Sequence, residues 1–190
     1  MIISISGVPG SGKTSVAKLL AQRLGLKFYS MGELRGKMAT ERGLTIDELN
    51  KLGEQADFTD KTVDDYQREL GKKEDNFVIE GRLSWHFIPN SIKVFLDCKP
   101  QEAARRIFEA RRSKTAPSRY DEPKYQTVEQ TLEEIQKRMA SDHLRYQKYY
   151  GLEYREPTHY DLILDTTNLP GPEATVEKIA SELENLQTKI

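Results

Sequence analysis

The sequence predicts an α/β fold of three layers, α/β/α, built on a five-stranded parallel sheet. Short apolar runs rich in β-branched or aromatic residues alternate with segments of helical periodicity along the 190 residues. This alternation is typical of a parallel sheet that is covered by helices on both faces. A glycine-rich turn between the first apolar run and the first helix points to the same class. The length suits one domain that buries about 70% of its unfolded surface.

The strands are predicted from the apolar runs. Four of these runs are clear, and a fifth, at 27–30, is less apolar. In chain order the predicted strands are Ile2–Ser6, Lys27–Ser30, Phe77–Glu80, Lys93–Asp97 and Asp161–Asp165.

Helices are predicted for the segments between the strands. The first runs from Lys13 to about Leu24 and ends at Gly25, a residue suited to the left-handed position after a helix. Thr45 and Glu48 form the pattern of a capping box at the start of another helix, which is predicted to run to about Lys51. Five further helices are predicted. One begins near Met31, one runs from Thr59 to Gly71, and the others span Gln101–Arg112, Val128–Tyr150 and Glu173–Leu186. The polar segment 113–127, with Pro117 and Pro123, is predicted to be a mobile loop that acts as a lid.

Composition restricts the partners. A formal net charge of -1 and a pI of about 6.3 argue against a nucleic-acid-binding surface, whereas 29 Lys and Arg residues allow a local basic cleft for a small anion. The single cysteine, Cys98, excludes an internal disulfide, and we expect it to be a buried small apolar residue. The chain shows no leader pattern and no apolar run of about 18 residues. We therefore predict a cytoplasmic protein that has no membrane partner.

A phosphate-binding loop follows the first strand. Residues Gly7-Val8-Pro9-Gly10-Ser11-Gly12-Lys13-Thr14, with Ser15 after them, match the pattern G-x-x-x-x-G-K-[ST] between a strand and a helix. Its glycines allow consecutive backbone N–H groups to surround a phosphate, while Lys13 adds positive charge. The Thr14 hydroxyl is placed to ligate Mg²⁺. By itself the loop permits a kinase, an ATPase, a GTPase or a protein that only binds a nucleotide.

Two clusters near strand ends could hold a phosphate acceptor. Ser30-Met31-Gly32-x-x-Arg35 lies where the second strand meets a helix, at the carboxyl edge of the predicted sheet. Arg35 offers a planar fork for phosphate, although an exposed helix arginine would fit the pattern equally well. Glu80-Gly81-Arg82 ends the next strand, where Glu80 could orient Mg²⁺ through water and Arg82 could hold a phosphate.

A third cluster lies on one predicted helix. Arg138, Asp142 and Arg145 share one face, because they are separated by four and three residues. A solvated ladder of ion pairs is one interpretation of this pattern. The second interpretation is a site where two arginines stabilise a phosphoryl group in transfer while the carboxylate accepts hydrogen bonds from a sugar.

Together these clusters resemble the nucleoside monophosphate kinases, most closely the cytidylate kinases of the compact archaeal type. The likeness spans nearly the whole chain. It rests on Gly7–Thr14, Ser30-x-Gly32-x-x-Arg35, Glu80-Gly81-Arg82-Leu83-x-Trp85, Phe95-Leu96-Asp97, Arg138-x-x-x-Asp142-x-x-Arg145, Tyr149-Tyr150-Gly151 and Tyr160–Thr167. The strand end at 80–83 and the Arg/Asp/Arg helix are the discriminating motifs.

The resemblance implies transfer of the γ-phosphoryl group of ATP, with Mg²⁺, to CMP or dCMP. It implies that the monophosphate is bound by Ser30, Gly32, Arg35, Glu80, Gly81, Arg82, Arg138 and Asp142. The transferred group would be neutralised by Lys13, Arg138 and Arg145, with help from Arg106 or Arg111. It also implies one P-loop kinase domain, with a core of 1–29, 72–112 and 128–190, a monophosphate-binding part at 30–71 and the lid at 113–127.

Some positions depart from the family pattern. Ser84-Trp85-His86-Phe87 stands where smaller residues are expected before the tryptophan, and Lys51–Tyr66 has no close match, so the base is less well defined than the reaction. AMP, UMP, shikimate and dephospho-CoA therefore stay open as acceptors. The pattern also leaves open an ATP-binding switch without an acceptor and an RNA-processing factor, the latter disfavoured by the acidic pI. We expect no catalytic histidine, because the acceptor phosphate is already ionised and needs no general base. We also expect a monomer.

Overall fold

A computed structural model of the chain describes residues 1–55, 58–113 and 126–187. Five parallel strands form one sheet in the order β2-β3-β1-β4-β5. They are β1 Ile2–Gly7, β2 Lys27–Ser30, β3 Phe77–Glu80, β4 Ile92–Asp97 and β5 Leu162–Asp165. The predicted strands and their parallel arrangement are confirmed. Most of the predicted lid, including Pro117 and Pro123, lies outside the described residues.

Eight α-helices connect or flank the strands in the described part of the chain. They are α1 Lys13–Leu24, α2 Met31–Glu41, α3 Ile46–Gln55, α4 Phe58–Lys73, α5 Ser84–Phe87, α6 Pro100–Arg112, α7 Val128–Tyr150 and α8 Pro172–Gln187. A short 3₁₀ turn covers Pro157–His159. Three of the helices, α2 to α4, form an insertion between β2 and β3. None of the described helices combines the length and the apolarity needed to cross a bilayer.

Two of the predicted helix signals are present in the structure. Gly25 stops α1 in the left-handed conformation, at φ 66°. The capping box before α3 is present, since the Thr45 hydroxyl accepts from the Glu48 N–H and the Glu48 carboxylate accepts from the Thr45 N–H. The Ser30 hydroxyl caps α2 by accepting from the Glu33 N–H.

Apolar residues on both faces of the sheet produce the three layers. On one face, α1 and α8 pack over a cluster that includes Ile3, Ile5 and Val94. On the opposite face, the insertion packs over Ile2 and Phe77, whereas α6 and α7 pack near Phe95. This arrangement confirms the predicted α/β/α class. Cys98 is buried in the last of these clusters, as expected.

Apart from shifts of one residue at several element ends, the structure differs from the sequence prediction in three respects. Helix α3 continues to Gln55, α4 continues to Lys73, and the short helix α5 was not predicted. Gly71 does not end α4. It allows the helix to pack closely against Ile88, since a Cβ at this position would lie 3.1 Å from the Ile88 side chain. The glycine is therefore a packing residue within the helix.

Candidate active site

A cleft of about 1200 Å³ opens at the carboxyl edge of the sheet. Its walls come from the loop after β1, the ends of β2 and β3, and the helices α2, α4, α6 and α7. Open parallel sheets bind ligands at this edge, in the crevice where the connections that leave two adjacent strands run to opposite faces of the sheet. The cleft is therefore the candidate active site.

The phosphate loop forms one end of the cleft. Gly7, at φ 147°, lies so close to β4 that a Cβ would stand 2.1 Å from the carbonyl oxygen of Leu96. Gly10, at φ 76°, packs against the start of α6, where a Cβ would lie 2.7 Å from Ala103. Glycine is thus required at both positions. The loop leads directly into α1, whose N-terminal amides favour an anion.

Side chains hold the loop in shape. Lys13 Nζ donates to the carbonyl oxygen of Val8 at 2.7 Å, and Ser11 Oγ donates to the same oxygen at 2.9 Å. Thr166, after β5, donates to the carbonyl oxygens of Ser11 and Asp97. The loop is therefore tied to the ends of β4 and β5.

An acidic group adjoins the first turn of α1. Glu80 is buried, and its Oε1 accepts from Ser30 Oγ at 2.5 Å and from Thr14 Oγ1 at 3.3 Å. Among the described residues no three His, Cys, Asp or Glu side chains cluster as a metal cage. Mg²⁺ needs no such cage, because it commonly takes one or two protein oxygens together with substrate phosphates and water. The Thr14 hydroxyl beside the Glu80 carboxylate fits that requirement.

Arg35 reaches the cleft from α2. Its Nε donates to Asn50 Oδ1 at 3.1 Å, while Nη1 donates to the Thr59 carbonyl oxygen and to Asp60 Oδ1. Burial, and then the charge of Arg145, lower the pKa of Arg35. These contacts fix the orientation of the guanidinium plane.

A second carboxylate, Asp142, joins two arginines. Its Oδ1 accepts from Arg145 Nη2, and its Oδ2 forms an ion pair with Arg82 Nε at 2.9 Å. Burial acts to raise the pKa of Asp142, but the neighbouring guanidinium groups, Arg82 first, outweigh burial and lower it. Arg145, which is only 1% exposed, also donates to Asp60 Oδ1 at 2.5 Å. A continuous buried charge network therefore connects α2, α4, α7 and the end of β3.

Arg106 of α6 lies between two cavities. Its guanidinium donates to the carbonyl oxygens of Thr166 and Thr167, and its Nε donates to Glu102. A side cavity of about 390 Å³ lies on the far side of Arg106, bounded by the phosphate loop and by the segment that leads into α8. Arg106 is thus held by the backbone at the junction of the cleft and this side cavity.

The structure brings most of the predicted site residues to one place. Those that line the cleft are Pro9, Gly10, Gly12, Lys13, Thr14, Ser15, Gly32, Arg35, Glu80, Gly81, Arg82, Arg106, Arg111 and Arg138. Ser11 lines the side cavity.

A smaller set of the predicted residues stands back from the cleft surface. Gly7 and Val8 lie at the base of the loop, and Ser30 lies behind Glu80. Asp142 and Arg145 lie behind Arg82. These residues support the cleft through the groups in front of them.

Several residues of the cleft were not predicted from the sequence. Asn50 and Asp60 hold Arg35, while Asp64 and Gln67 line the cleft from α4. The available signal was weak: Asp60, Asp64 and Gln67 recur at helical spacing among charged residues, a pattern that also suits a solvated helix face.

The three histidines have structural or peripheral contacts. His159 stacks on Trp85 with ring centroids 4.1 Å apart, and His143 Nδ1 lies 2.8 Å from a carboxylate oxygen of Glu153. His86 packs against the rings of Phe87 and Tyr150. None of the three lines the cleft formed by the described residues.

Sequence comparison gives a consistent result over the whole chain. Residues 2–168 match the model of the "Cytidylate kinase-like family". A protein named cytidylate kinase from Archaeoglobus fulgidus is 36% identical over 191 residues, covering 100% of this chain and 98% of that protein. A protein of the same name from Methanocella arvoryzae is 35% identical, covering 96% of this chain and 98% of that one.

Solved structures support the fold. Shikimate kinase from Bacteroides thetaiotaomicron superposes with a TM-score of 0.64 at 18% identity, covering 97% of this chain and 98% of that chain. Shikimate kinase from Aquifex aeolicus superposes with a TM-score of 0.57 at 21% identity, with 98% of each chain covered. At such low sequence identity, the structural similarity supports the fold and nothing beyond it.

Proposed function

The chain belongs to the cytidylate kinase-like family, and on that premise we propose that it transfers the γ-phosphoryl group of ATP to CMP or dCMP. It is an ATP-dependent phosphotransferase with small-molecule nucleotide substrates. The products are ADP and the corresponding diphosphate. Shikimate, which the sequence leaves open as an acceptor, finds support only in the shared fold of the solved structures.

One observation carries the proposal. Three guanidinium groups from separate stretches, Arg35, Arg82 and Arg138, line the same cleft as the phosphate loop. Phosphoryl transfer requires two polyanions to be held in line, and positive charge offsets their mutual repulsion. A protein that only binds ATP has no need for this second set of cations beside the loop.

We assign the acceptor phosphate to Arg35 and Arg82. Each carries a guanidinium group that can donate to a phosphate, Arg35 through Nη2 because its Nε and Nη1 already donate to protein oxygens, and each is oriented by buried protein partners. Gly32 and Gly81 line the cleft with these groups, and Ser30 positions Glu80. The insertion at 30–71 then supplies one part of the acceptor site, and the end of β3 supplies the other.

Arg145 and Asp142 act through their neighbours in this proposal. Both are 1% exposed, and Asp142 is paired with Arg82 while Arg145 is paired with Asp60. Arg145 therefore positions the cleft residues and contributes long-range positive charge. Direct neutralisation of the transferred group falls to Lys13 and Arg138, with Arg111 at the described end of α6.

The donor is assigned to the loop end of the cleft. Backbone amides of the loop and Lys13 bind the phosphates, and the side cavity beside Arg106 receives the adenine. Thr14 would ligate Mg²⁺, with Glu80 nearby to hold one of its waters. An ion held there would supply positive charge that offsets the negative charge developing on the phosphates in transfer.

The proposed mechanism needs no general base. The acceptor oxygen is ionised at neutral pH, so the protein must orient, neutralise and exclude water. We assign the exclusion of water to the predicted lid at 113–127, which includes Arg119. This segment lies mainly outside the described residues. A monomeric state, a cytoplasmic location and the lack of nucleic-acid binding stay predictions from the sequence.

An acceptor panel tests the function. Initial rates of ADP formation with Mg·ATP should be highest with CMP and dCMP and well below these with AMP, UMP or shikimate. Without an acceptor, ADP formation should fall to background. A preference for another acceptor would assign the protein a different substrate, and ATP binding without acceptor-dependent ADP would leave only a nucleotide-binding module.

A further inference from the structure

Helix α4 presents two buried polar side chains to the cleft that the proposed chemistry does not use. Asp64 and Gln67 are 6% and 3% exposed, and both line the cleft. They lie three residues apart, which makes them neighbours on one face of the helix. Their side of the cleft also carries Arg35, one of the groups assigned to the acceptor phosphate.

Gln67 is held in one orientation. The buried hydroxyl of Ser84 donates to Gln67 Oε1 at 2.6 Å. Its amide nitrogen makes no hydrogen bond to any residue within the described ranges. Because Gln67 lines the cleft, this nitrogen is a donor available to a ligand there.

Asp64 offers the opposite hydrogen-bonding character. Tyr150 of α7 donates its hydroxyl to Asp64 Oδ2. The second carboxylate oxygen has no hydrogen-bond partner in the described part of the chain and remains an acceptor. Burial raises the pKa of Asp64 to about 6, so the carboxylate is mostly ionised above neutral pH.

Apolar residues also line the cleft. Met31, Ile46 and Val63 are buried, belong to one apolar cluster and line the same cleft. Gly81 lies against Met31, where a Cβ would stand 2.9 Å from its side chain. An apolar slot with a few polar groups along one side suits a flat heteroaromatic ring.

We propose that Asp64 and Gln67 read the hydrogen-bonding edge of the acceptor base and so favour cytosine over uracil. This inference rests on the proposed function, because it assigns the base of the same acceptor. The exocyclic amine of cytosine is a donor that matches the Asp64 carboxylate, and its ring nitrogen and O2 are acceptors that match the Gln67 amide. Uracil would place its O4 acceptor against the carboxylate and its ring N–H against the amide, and both contacts are unfavourable.

The test is an isosteric exchange of hydrogen-bonding character. In Asp64→Asn, the Tyr150 hydroxyl can still donate to the side-chain oxygen, which leaves the new amide to face the base. We expect kcat/KM for CMP to fall about 10- to 100-fold while kcat/KM for UMP holds or rises, because recognition of a polar group by a buried partner contributes at least this much to discrimination. The ratio of the two values should therefore fall at least about tenfold.

Two further variants make the test specific. Asp65→Asn is the matched control, since Asp65 is exposed on the same helix and pairs with Arg68; its CMP to UMP ratio should equal that of the wild type. Gln67→Glu should lower the ratio independently, because a carboxylate accepts the ring N–H of uracil and repels the ring nitrogen of cytosine. In addition, Tyr150→Phe reports a purely structural loss around Asp64 and should change stability more than the ratio.

The outcomes separate the inference from the function. If the wild type phosphorylates CMP but both Asp64→Asn and Gln67→Glu keep its CMP to UMP ratio within about a factor of two, the base is read elsewhere and the inference is overturned. If the wild type phosphorylates neither CMP nor dCMP, the proposed function fails first. A fall in the ratio in both variants, with Asp65→Asn unchanged, supports the inference.

Discussion

Asp60 of α4 and Arg145 of α7 form a buried ion pair, with 2.5 Å between the carboxylate and guanidinium atoms. The pair joins the helical insertion to the long helix of the core, across 85 residues of sequence. The same Asp60 oxygen accepts from Arg35, so one carboxylate faces two arginines. The position of Arg35 in the cleft therefore depends on how the insertion docks against α7.

Replacing Asp60 tests this dependence. Asp60→Asn should lower the free energy of unfolding by about 3–5 kcal/mol, because two buried guanidinium groups lose their shared counter-charge. Urea denaturation measures the loss. Asp65→Asn, exposed on the same helix, should stay within about 0.5 kcal/mol of the wild type. A loss of the same small size in both variants would show that the pair does not support the fold.

Replacing Arg82 tests the acceptor grip. Arg82→Ala should reduce kcat/KM for the acceptor by a factor equivalent to about 2–4 kcal/mol, while the KM for ATP stays near its wild-type value. Arg82→Lys keeps the charge but loses the fork, and we expect an intermediate effect. Arg155→Ala, which removes an exposed arginine, is the control. Unchanged kinetics for both substrates in Arg82→Ala would remove this residue from the site.

Replacing Lys13 tests the assignment of the donor. Lys13→Ala should reduce kcat on the order of 10²-fold or more, since a charge aimed at the transferred group is lost. Initial rates at saturating ATP and CMP provide the measurement. Lys73→Ala, at the exposed end of α4, should leave kcat unchanged. A Lys13→Ala enzyme within about a factor of two of the wild type would refute a catalytic role for the lysine.

The raised pKa of Asp64 predicts a pH-dependent stability. Burial raises the pKa to about 6, and the nearby charges are those of Asp60, Arg68 and Arg35, with the Tyr150 hydroxyl in direct contact. Between about pH 4 and 6 the folded protein then binds more protons at this site than the unfolded chain does, so this site's contribution to stability falls as pH rises. The unfolding free energy of the wild type minus that of Asp64→Asn should decrease across this range in urea titrations. A difference that is flat with pH would show that Asp64 titrates normally.

Much of the fold and the donor site could be predicted because the signals are local in sequence. Three motifs can each be recognised from about four to eight consecutive residues. They are the loop from Gly7 to Thr14, the capping box at Thr45 and the strand end at Glu80. Arg35, Arg82 and Arg138 line one cleft with this loop. Their predicted placement followed from a family resemblance and from strand ends that meet at one sheet edge.

The rest of the site depends on contacts between distant elements. Asp60 and Asp64 look like ordinary solvated residues of a charged helix, and only the docking of α4 against α7 buries them beside Arg145 and Tyr150. The packing of α7 near the end of β3 likewise places Asp142 behind Arg82 and away from the cleft surface. Helical periodicity shows which residues share a face but not which partner that face meets.

We propose that the donor and acceptor anions bind side by side, the donor on the phosphate loop and the acceptor on the arginines. Calorimetric titration with adenosine and cytidine joined by a pentaphosphate bridge measures this directly, with ATP and CMP titrated separately. We predict that the joined compound binds more tightly than either nucleotide, by about 10²-fold or more, and that Arg82→Ala removes most of the gain. Binding no tighter than that of ATP alone would contradict the account.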